Sequence, residues 1–341
     1  MKQNYSLSKS ILTEIKKANK ILINAHRNPD LDSVGSAIAL GQALKKMGKV
    51  ITYVCPHQIP ASFSFINDSE KIKTVDFKAR PSKPVSNWRS GDFRNFKNFI
   101  DYDLFLILDS GSYDIVTGSK DIKLPEIKKI IIDHHMTDTW DEYVYRLWDT
   151  GASATAEIVY RMLADWDIKI DENIATSLLS GIAGDTVFFK YPKNPSVTFS
   201  IVNELLKNGA KYDLLVEKFN DSLSFGFVKL LGEFLNNMKS EKRFVWSAIP
   251  YATFEKYGKP KGVREAAADS YFRSIKDIDF GVALLEFEPG VINMSFRSKK
   301  NFDVSALALK FGGGGHKNAA GATVKGEFNK TITNVIDKLK K

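Results

Sequence analysis

ILINAHRNPDLDSVGS, residues 21–36, decides how this chain is read. An apolar run, 21–23, ends in Asn24, and then His26, Asp30 and Asp32 follow where a buried strand should emerge. Three comparable runs lie further along: VITYV (50–54), DLFLILD (103–109) and IKKIIID (127–133). They are continuous rather than alternating in polarity, as strands covered on both faces of a parallel sheet are. Between the first two, Val34, Ala37, Ile38, Gly41 and Leu44 keep helical spacing, and Gly48 stops the helix. The alternation predicts an open, doubly wound, mainly parallel α/β domain, in which ligands sit beyond the carboxyl ends of the strands. Taken alone, Asn-Pro-Asp is also good turn chemistry, and Asp32 or Ser33 could simply cap the next helix. The stretch by itself leaves a turn and a site both open.

Composition narrows the classes. A chain of 341 residues suits about two domains, each with its own core. No run approaches the ~18 apolar residues of a membrane span. MKQNYSLSKSILTEIKK lacks the apolar core of a secretory signal, so a cytoplasmic protein is expected. The single cysteine, Cys55, excludes an intrachain disulfide and a cysteine-rich zinc site. A formal net charge of +9 favours polyanionic partners such as nucleotides and nucleic acid. Of the five histidines, His57 alone stands outside the motifs below.

Three further segments deliver acid or imidazole to element ends. Asp109 closes DLFLILD, Asp133-His134-His135 closes KKIIIDHH, and Asp185 closes the apolar helix SLLSGIAGD. A buried carboxylate is costly unless it is paired or metal-bound. Four such sites aimed at one expected sheet edge point to a shared cation. Carboxylates with imidazoles and no thiolate suit Mn²⁺ or Mg²⁺ rather than structural zinc. So many donors suit two ions sharing a carboxylate, about 3.5–4 Å apart, as in two-metal hydrolases.

HRNPDLDSVGS, LDSG, DHH and GIAGDT resemble, in order and approximate spacing, the motifs of the DHH phosphoesterases. About 180 residues downstream, SFRS (295–298) and FGGGGHKNAAG (311–321) resemble the DHHA1 substrate-binding domain. Within that family the chain is most similar in size and domain order to the bifunctional nanoRNase and 3′-phosphoadenosine-5′-phosphate (pAp) phosphatase group. The resemblance implies a DHH domain over 1–192, a helical linker over 193–238 and a smaller α/β DHHA1 domain over 239–341. It implies two Mn²⁺ ions, with Mg²⁺ possible: His26 and Asp30 on the first, Asp32, His134 and Asp185 on the second, and Asp109 bridging. Asp133 would fix an imidazole tautomer. His135 would face the phosphate or help the leaving oxygen take its proton. Arg297, Ser298, Gly313, Gly314, Gly315 and His316 would hold the nucleotide, with a helix or turn after the glycines adding its dipole. Solvated helix positions are expected for Arg264 and Arg273.

The implied activity is hydrolysis of short RNA to 5′-mononucleotides and removal of the 3′-phosphate of pAp. Cleavage of linear di-adenylate (pApA) in cyclic di-AMP turnover is the related alternative, and a non-catalytic nucleotide- or RNA-binding protein is the alternative of another class. An aspartyl-phosphate reading of Asp30-Leu31-Asp32-Ser33-Val34 leaves DHH and FGGGGH unexplained. Two motifs depart from the family pattern. Ile115 and Val116 stand where a basic residue is frequent, and Val187 stands where glycine is common. A basic, aromatic loop, FKARPSKPVSNWRSGDFRNFKNF (77–99), is expected to be a solvated insertion or an RNA-stacking element, and apolar linker residues would allow a homodimer.

Overall fold

The structure, a computed structural model, describes residues 5–77, 101–119, 122, 124, 126–136, 139–140, 143–220, 223–299 and 302–340. From residue 78 on, the basic loop expected at 77–99 lies outside them. The chain divides into two compact units, Met1–Asp221 and Ser222–Lys341. Of the stretch read as a linker, helices at Pro195–Lys207 and Tyr212–Asn220 fall in the first unit and the helix at Phe225–Asn236 falls in the second.

The first unit is built on a six-stranded sheet whose paired strands are all parallel. Its strands are β1 (Lys20–Asn24), β2 (Val50–Cys55), β3 (Lys73–Thr74), β4 (Leu104–Leu108), β5 (Lys129–Asp133) and β6 (Tyr145–Trp148). Their order is β3-β2-β1-β4-β5-β6, so the chain changes direction of travel between β1 and β4. That is the switch point at which open α/β sheets leave a crevice. Asn24 fills it: its Oδ1 accepts from the Leu108 N–H at 2.8 Å, and its Nδ2 donates to Ser110 Oγ at 3.2 Å. The short edge strands β3 and β6 are absent from the sequence reading, because two to four residues carry too little pattern.

Helix α2 (Leu31–Lys46, following α1 at Leu7–Lys17) begins with an N-cap. Asp30 Oδ1 accepts from the Ser33 N–H at 2.9 Å, a contact worth about 1 kcal/mol. Helix α2 is buried nearly all round, including Ala39, Leu40 and Ala43 off the expected face. The reason is a second layer: α4 (Thr155–Asp165) and α5 (Glu172–Asp185), beyond the short α3 (Tyr113–Thr117), pack on it. A Cβ on Gly181 of α5 would lie 2.7 Å from Asp32 Oδ1, so only glycine lets α5 approach this closely. No described helix is long and apolar enough to cross a membrane.

After α6 (Pro195–Lys207), α7 (Tyr212–Asn220) and α8 (Phe225–Asn236), the second unit forms its own six-stranded sheet, order β11-β12-β10-β9-β8-β7. These are β7 (Lys239–Ser240), β8 (Phe244–Ile249), β9 (Phe280–Glu288), β10 (Val291–Ser298), β11 (Gly314–His316) and β12 (Ala319–Lys325). One face carries α8, α9 (Tyr251–Lys256) and α10 (Val263–Ala266); the other carries α11 (Val304–Leu309) and α12 (Phe328–Lys340).

Of the helix or turn expected after the glycine run, the structure shows a turn, at 317–318; the run itself is a helix stop and then a strand. Gly312 has φ +73°, its N–H donates to Leu309 O at 3.0 Å, and the Gly313 N–H donates to Ala308 O at 2.9 Å. This is the Schellman pairing that terminates α11. Gly314 to His316 then pair antiparallel with β12 as the outermost strand. Here a Cβ on Gly313 would fall 2.1 Å from Gly321 O, so the strand cannot lie down with any side chain there.

Candidate metal centre

The carboxyl ends of β1, β4 and β5 and the last residue of α5 meet in one hollow of the first unit. His26 follows β1 by two residues, Asp109 directly follows β4, Asp133-His134-His135 straddles the end of β5, and Asp185 ends α5. Asp32 enters from the first turn of α2. Asp109 turns the chain sharply there with φ +53°, a left-handed conformation that a non-glycine residue keeps only when its surroundings hold it.

Asp109 stands at the middle. Its Oδ2 lies 3.4 Å from His26 Nε2, and its Oδ1 lies 3.5 Å from His134 Nε2. Around His26, Asp30 Oδ2 comes to 3.5 Å. Around His134, Asp185 Oδ2 comes to 3.1 Å and Asp32 Oδ2 to 4.0 Å. Two donor groups result, His26–Asp30–Asp109 and Asp32–His134–Asp185, with Asp109 also grouped with His134 and His135. All six ligand positions expected from the sequence gather here.

The imidazoles are turned for a cation. His26 Nδ1 lies 2.8 Å from Arg27 O, and His134 Nδ1 lies 3.3 Å from Ala152 O. A carbonyl only accepts, so His26 Nδ1 carries the hydrogen; His134 Nδ1 also lies 3.4 Å from the donor Lys193 Nζ, and both Nε2 atoms point into the carboxylates. His134 Nε2 is buried with no hydrogen-bond partner among the described residues. Without a metal, protons must serve. Burial works to lower the His26 pKa, but the carboxylates of Asp109 and Asp30 overcome it and push it up to about 11. His134 is raised for the same reason, chiefly by Asp185 and Asp109 against its burial. Burial, joined by Asp109, Asp185 and Asp30, drives Asp32 well above the carboxylate range. Burial also raises Asp185, whereas the imidazoles hold Asp109 below its ordinary value despite its burial. A cluster that folds so many carboxylates together with two imidazole Nε2 atoms turned into them fits divalent cations, which take the place of those protons.

Asp133 lies beneath the ligands. Its Oδ1 accepts from the His134 N–H at 2.9 Å and from His135, N–H at 3.2 Å and Nδ1 at 2.8 Å. This leaves His135 Nε2 free to face outward. Burial notwithstanding, Asp133 and Asp109 raise the His135 pKa to about 9, so the ring is a proton carrier at neutral pH.

Several positioning groups escaped the sequence reading. Thr155 donates its hydroxyl to Asp109 Oδ1 at 2.9 Å, and its N–H donates to Asp32 Oδ2 at 2.6 Å. The Ala156 N–H donates to Asp32 Oδ1 at 2.9 Å, so Asp32 also anchors the N-terminus of α4. Lys193 Nζ stands 3.4 Å from His134 O. His57 holds the Asn-Pro loop: its Nδ1 lies 2.8 Å from Asn28 Oδ1 and 3.0 Å from Asn28 N. These contacts join segments far apart in the chain, and a single Thr, Lys or His carries no motif. Cys55 is buried, which pushes its thiol up to about 11 and leaves it inert. At the departures, Ile115 O accepts from the Arg27 N–H at 2.8 Å, and the Arg27 guanidinium pairs with Asp114 at 3.1 Å, so the first motif supplies a cation beside the second.

The residues expected to hold the nucleotide lie in the second unit, on and beside the two strands that flank β12. Arg297 of β10 and His316 of β11 are both in register with Ala319 of β12, forming one row. Arg297 Nε is 3.3 Å from Asp269, which also meets Arg273 at 3.3 Å. The Ser298 hydroxyl is engaged inside the fold, donating to Phe302 O at 2.7 Å and accepting from Asn318 at 3.0 Å.

With this geometry in hand, comparison with known proteins is direct. Residues 20–182 match the DHH family, N-terminal domain, and residues 246–341 match the DHHA1 domain. The chain belongs to the DHH/DHHA1 family. As a DHH protein with an intact donor set it is a metal-dependent phosphoesterase. It is 28% identical over 326 residues to the "Bifunctional oligoribonuclease and PAP phosphatase NrnA" of Thermus thermophilus, covering 93% of this chain and 88% of that one. It is 24% identical to the protein of the same name from Bacillus subtilis, covering 92% of each. The crystal structure of an exopolyphosphatase-related protein from Bacteroides fragilis superimposes with a TM-score of 0.83 at 25% identity, covering 98% of this DHH/DHHA1 chain and 95% of that one.

Proposed function

We propose that this phosphoesterase uses two Mn²⁺ ions, with Mg²⁺ as the alternative, to hydrolyse short RNA oligonucleotides and the 3′-phosphate of pAp. The observation that carries the reading is Asp109, whose two oxygens face His26 and His134 separately. In this reading His26, Asp30 and Asp109 hold one ion, and Asp109, Asp32, His134 and Asp185 hold the other. The chemistry that two divalent ions held there would supply is a water made nucleophilic at neutral pH and stabilisation of charge on the phosphate oxygens.

The protein's own groups do the rest. Asp133 keeps the His135 ring oriented through Nδ1, and His135 would turn its Nε2 to the phosphate or give a proton to the departing ribose 3′ oxygen. Thr155 holds Asp109 in its central place. Arg297, His316 and the backbone of Gly314 and Gly315 take the nucleotide, the glycines because an outermost strand stripped of side chains there lets an anion approach its main chain, while Gly313, its N–H given to Ala308 O, sets the approach of that strand. Ser298 shapes the loop beside them. Short RNA and pAp present the same bond, phosphorus to a ribose 3′ oxygen, so one site serves both. The names of the Thermus and Bacillus relatives support that substrate class.

The test is a panel of pAp, pApA and a five-nucleotide RNA with Mn²⁺ or Mg²⁺, on the parent and on Asp109→Ala. The expected result is Mn²⁺-stimulated release of 5′-mononucleotides from RNA and of phosphate from pAp, abolished in Asp109→Ala with its circular dichroism unchanged. Faster turnover of pApA than of either would move the assignment to linear di-adenylate. No hydrolysis of any of them would favour a binding protein.

A further inference from the structure

The second unit contains a cavity of about 370 Å³ that the proposed chemistry leaves unused. It lies where β8 and β9 begin, against the ends of α11 and α12. Its volume falls within the range of small-molecule sites. The cavity is on the opposite face of the sheet from Arg297. Phe296, the neighbour of Arg297 on β10, packs into the core beneath α11 and α12 together with Phe244 and Phe280. Arg297 points the other way, to Asp269.

Two features of the lining define a ligand. Phe244, Phe280 and Phe302, from three separate segments, form one stack: centroids are 4.9 and 5.0 Å apart, with planes within 9° and 18°. Around it stand four cations, Lys242, Arg243, Lys310 and Lys340, with Glu241 as the acid of the lining. Arg243 is paired with Asp279 at 2.6 Å, and Lys340 with Glu241 at 3.1 Å. Lys242 and Lys310 are exposed and make no ion pair among the described residues. Parallel phenyl rings favour a flat aromatic body, and unmatched ammonium groups favour an anion attached to it. A linear acyl chain lacks the flat faces, and an uncharged ring leaves both lysines unmatched.

We propose that this cavity is a second nucleotide site, distinct from the reaction centre, which takes a base at the part-exposed Phe302 end of the stack, where the Arg243 guanidinium lies 5.5 Å over the ring, and its phosphate between Lys242 and Lys310. The nucleotide is either a free mononucleotide or the phosphorylated end of an RNA, since both carry the same ring and charge.

Calorimetric titration of the full chain with AMP, in EDTA so that nothing is hydrolysed, tests it. Arg297→Ala removes the nucleotide contact of the other face, and in that background AMP still binds. Adding Lys242→Glu and Lys310→Glu, both at exposed positions, weakens this binding at least tenfold, and the remaining affinity loses its salt dependence. A parallel titration with a 5′-phosphorylated trinucleotide RNA separates the two sources: AMP binding assigns a free nucleotide, and binding of the RNA alone assigns an RNA end. An isotherm unchanged by the two charge reversals, or no binding of either probe to the Arg297→Ala protein, overturns the proposal. Hydrolysis of pAp with Mn²⁺ is read separately on the parent, so failure of the reaction and failure of the cavity give different results.

Discussion

Asp109 joins two donor groups because its carboxylate is held from a third side. Thr155 reaches Oδ1 while Oδ2 stays turned to His26. Thr155→Val keeps the shape of the side chain and the backbone bond to Asp32 but removes the hydroxyl. Metal affinity should fall roughly 10–100-fold, as for other groups that orient ligands. Titration of the metal-stripped variant with Mn²⁺ checks this, and an unchanged dissociation constant would refute the role. Beyond Asp185 the chain runs through three successive left-handed residues, Val187, Phe188 and Phe189, with φ +52°, +53° and +64°. A β-branched residue is poorly suited to that conformation, which accounts for glycine being common where Val187 stands. Val187→Gly should therefore stabilise the protein by about 1 kcal/mol in urea unfolding; a loss of stability would show that packing outweighs backbone strain. Most of the candidate donors were legible in the sequence, since Asp and His at the ends of buried strands are costly to keep unless a cation holds them. Thr155 and Lys193 were not, because their roles arise only once α4 and the 186–194 turn are brought against β4 and β5.

At the level of elements, the contact of α2 with α5 sets the depth of the hollow. It depends on Gly181, whose missing side chain leaves room for Asp32 and for Ala156, 2.8 Å from where a Cβ would stand. Gly181→Ala should destabilise by about 1–3 kcal/mol through overpacking and displace Asp32 at the same time. The expected signature is a lower urea midpoint together with weaker Mn²⁺ binding. A midpoint shift with unchanged metal affinity would mean that the helices move apart without disturbing the site. Helical periodicity identified α2 as a helix with one buried face, yet α2 is buried on nearly all sides. Its second apolar face was present in the sequence, but nothing local says which helix covers it. The glycine run shows the same limit: its composition marks a special backbone, whereas the division into helix stop and outermost strand follows from pairing with β12.

For the molecule as a whole, the metal-free state has a pH dependence of definite sign. His26 and His135 shift from 6.5 to about 11 and about 9 on folding, so the folded protein binds more protons than the unfolded chain above pH 6.5. Stability that is fully present below pH 6.5 is then lost as pH rises through 9 and on towards 11. The raised carboxyls of Asp32 and Asp185 act in the same direction, and the lowered Asp109 acts oppositely in the acid range. EDTA-treated protein should melt several degrees lower at about pH 9 than at about pH 6.5. Mn²⁺ replaces these protons, so its stabilising effect should grow over the same interval. Thermal melts with and without metal measure both, and a metal-free melting point that rises with pH would contradict the protonation scheme.

The amino-acid sequence alone determined the parallel α/β framework, the order of the motifs and, through the family resemblance, the six residues expected to hold metal, because continuous apolar strands and acid–imidazole pairs at their ends are local properties. Tertiary structure alone decided how those residues divide around Asp109, which backbone carbonyls face the imidazole Nδ1 atoms, and that a basic-rimmed phenylalanine stack exists on the far face of the second sheet. These depend on contacts between residues tens to more than a hundred positions apart, whose distances are set by packing rather than by spacing along the chain.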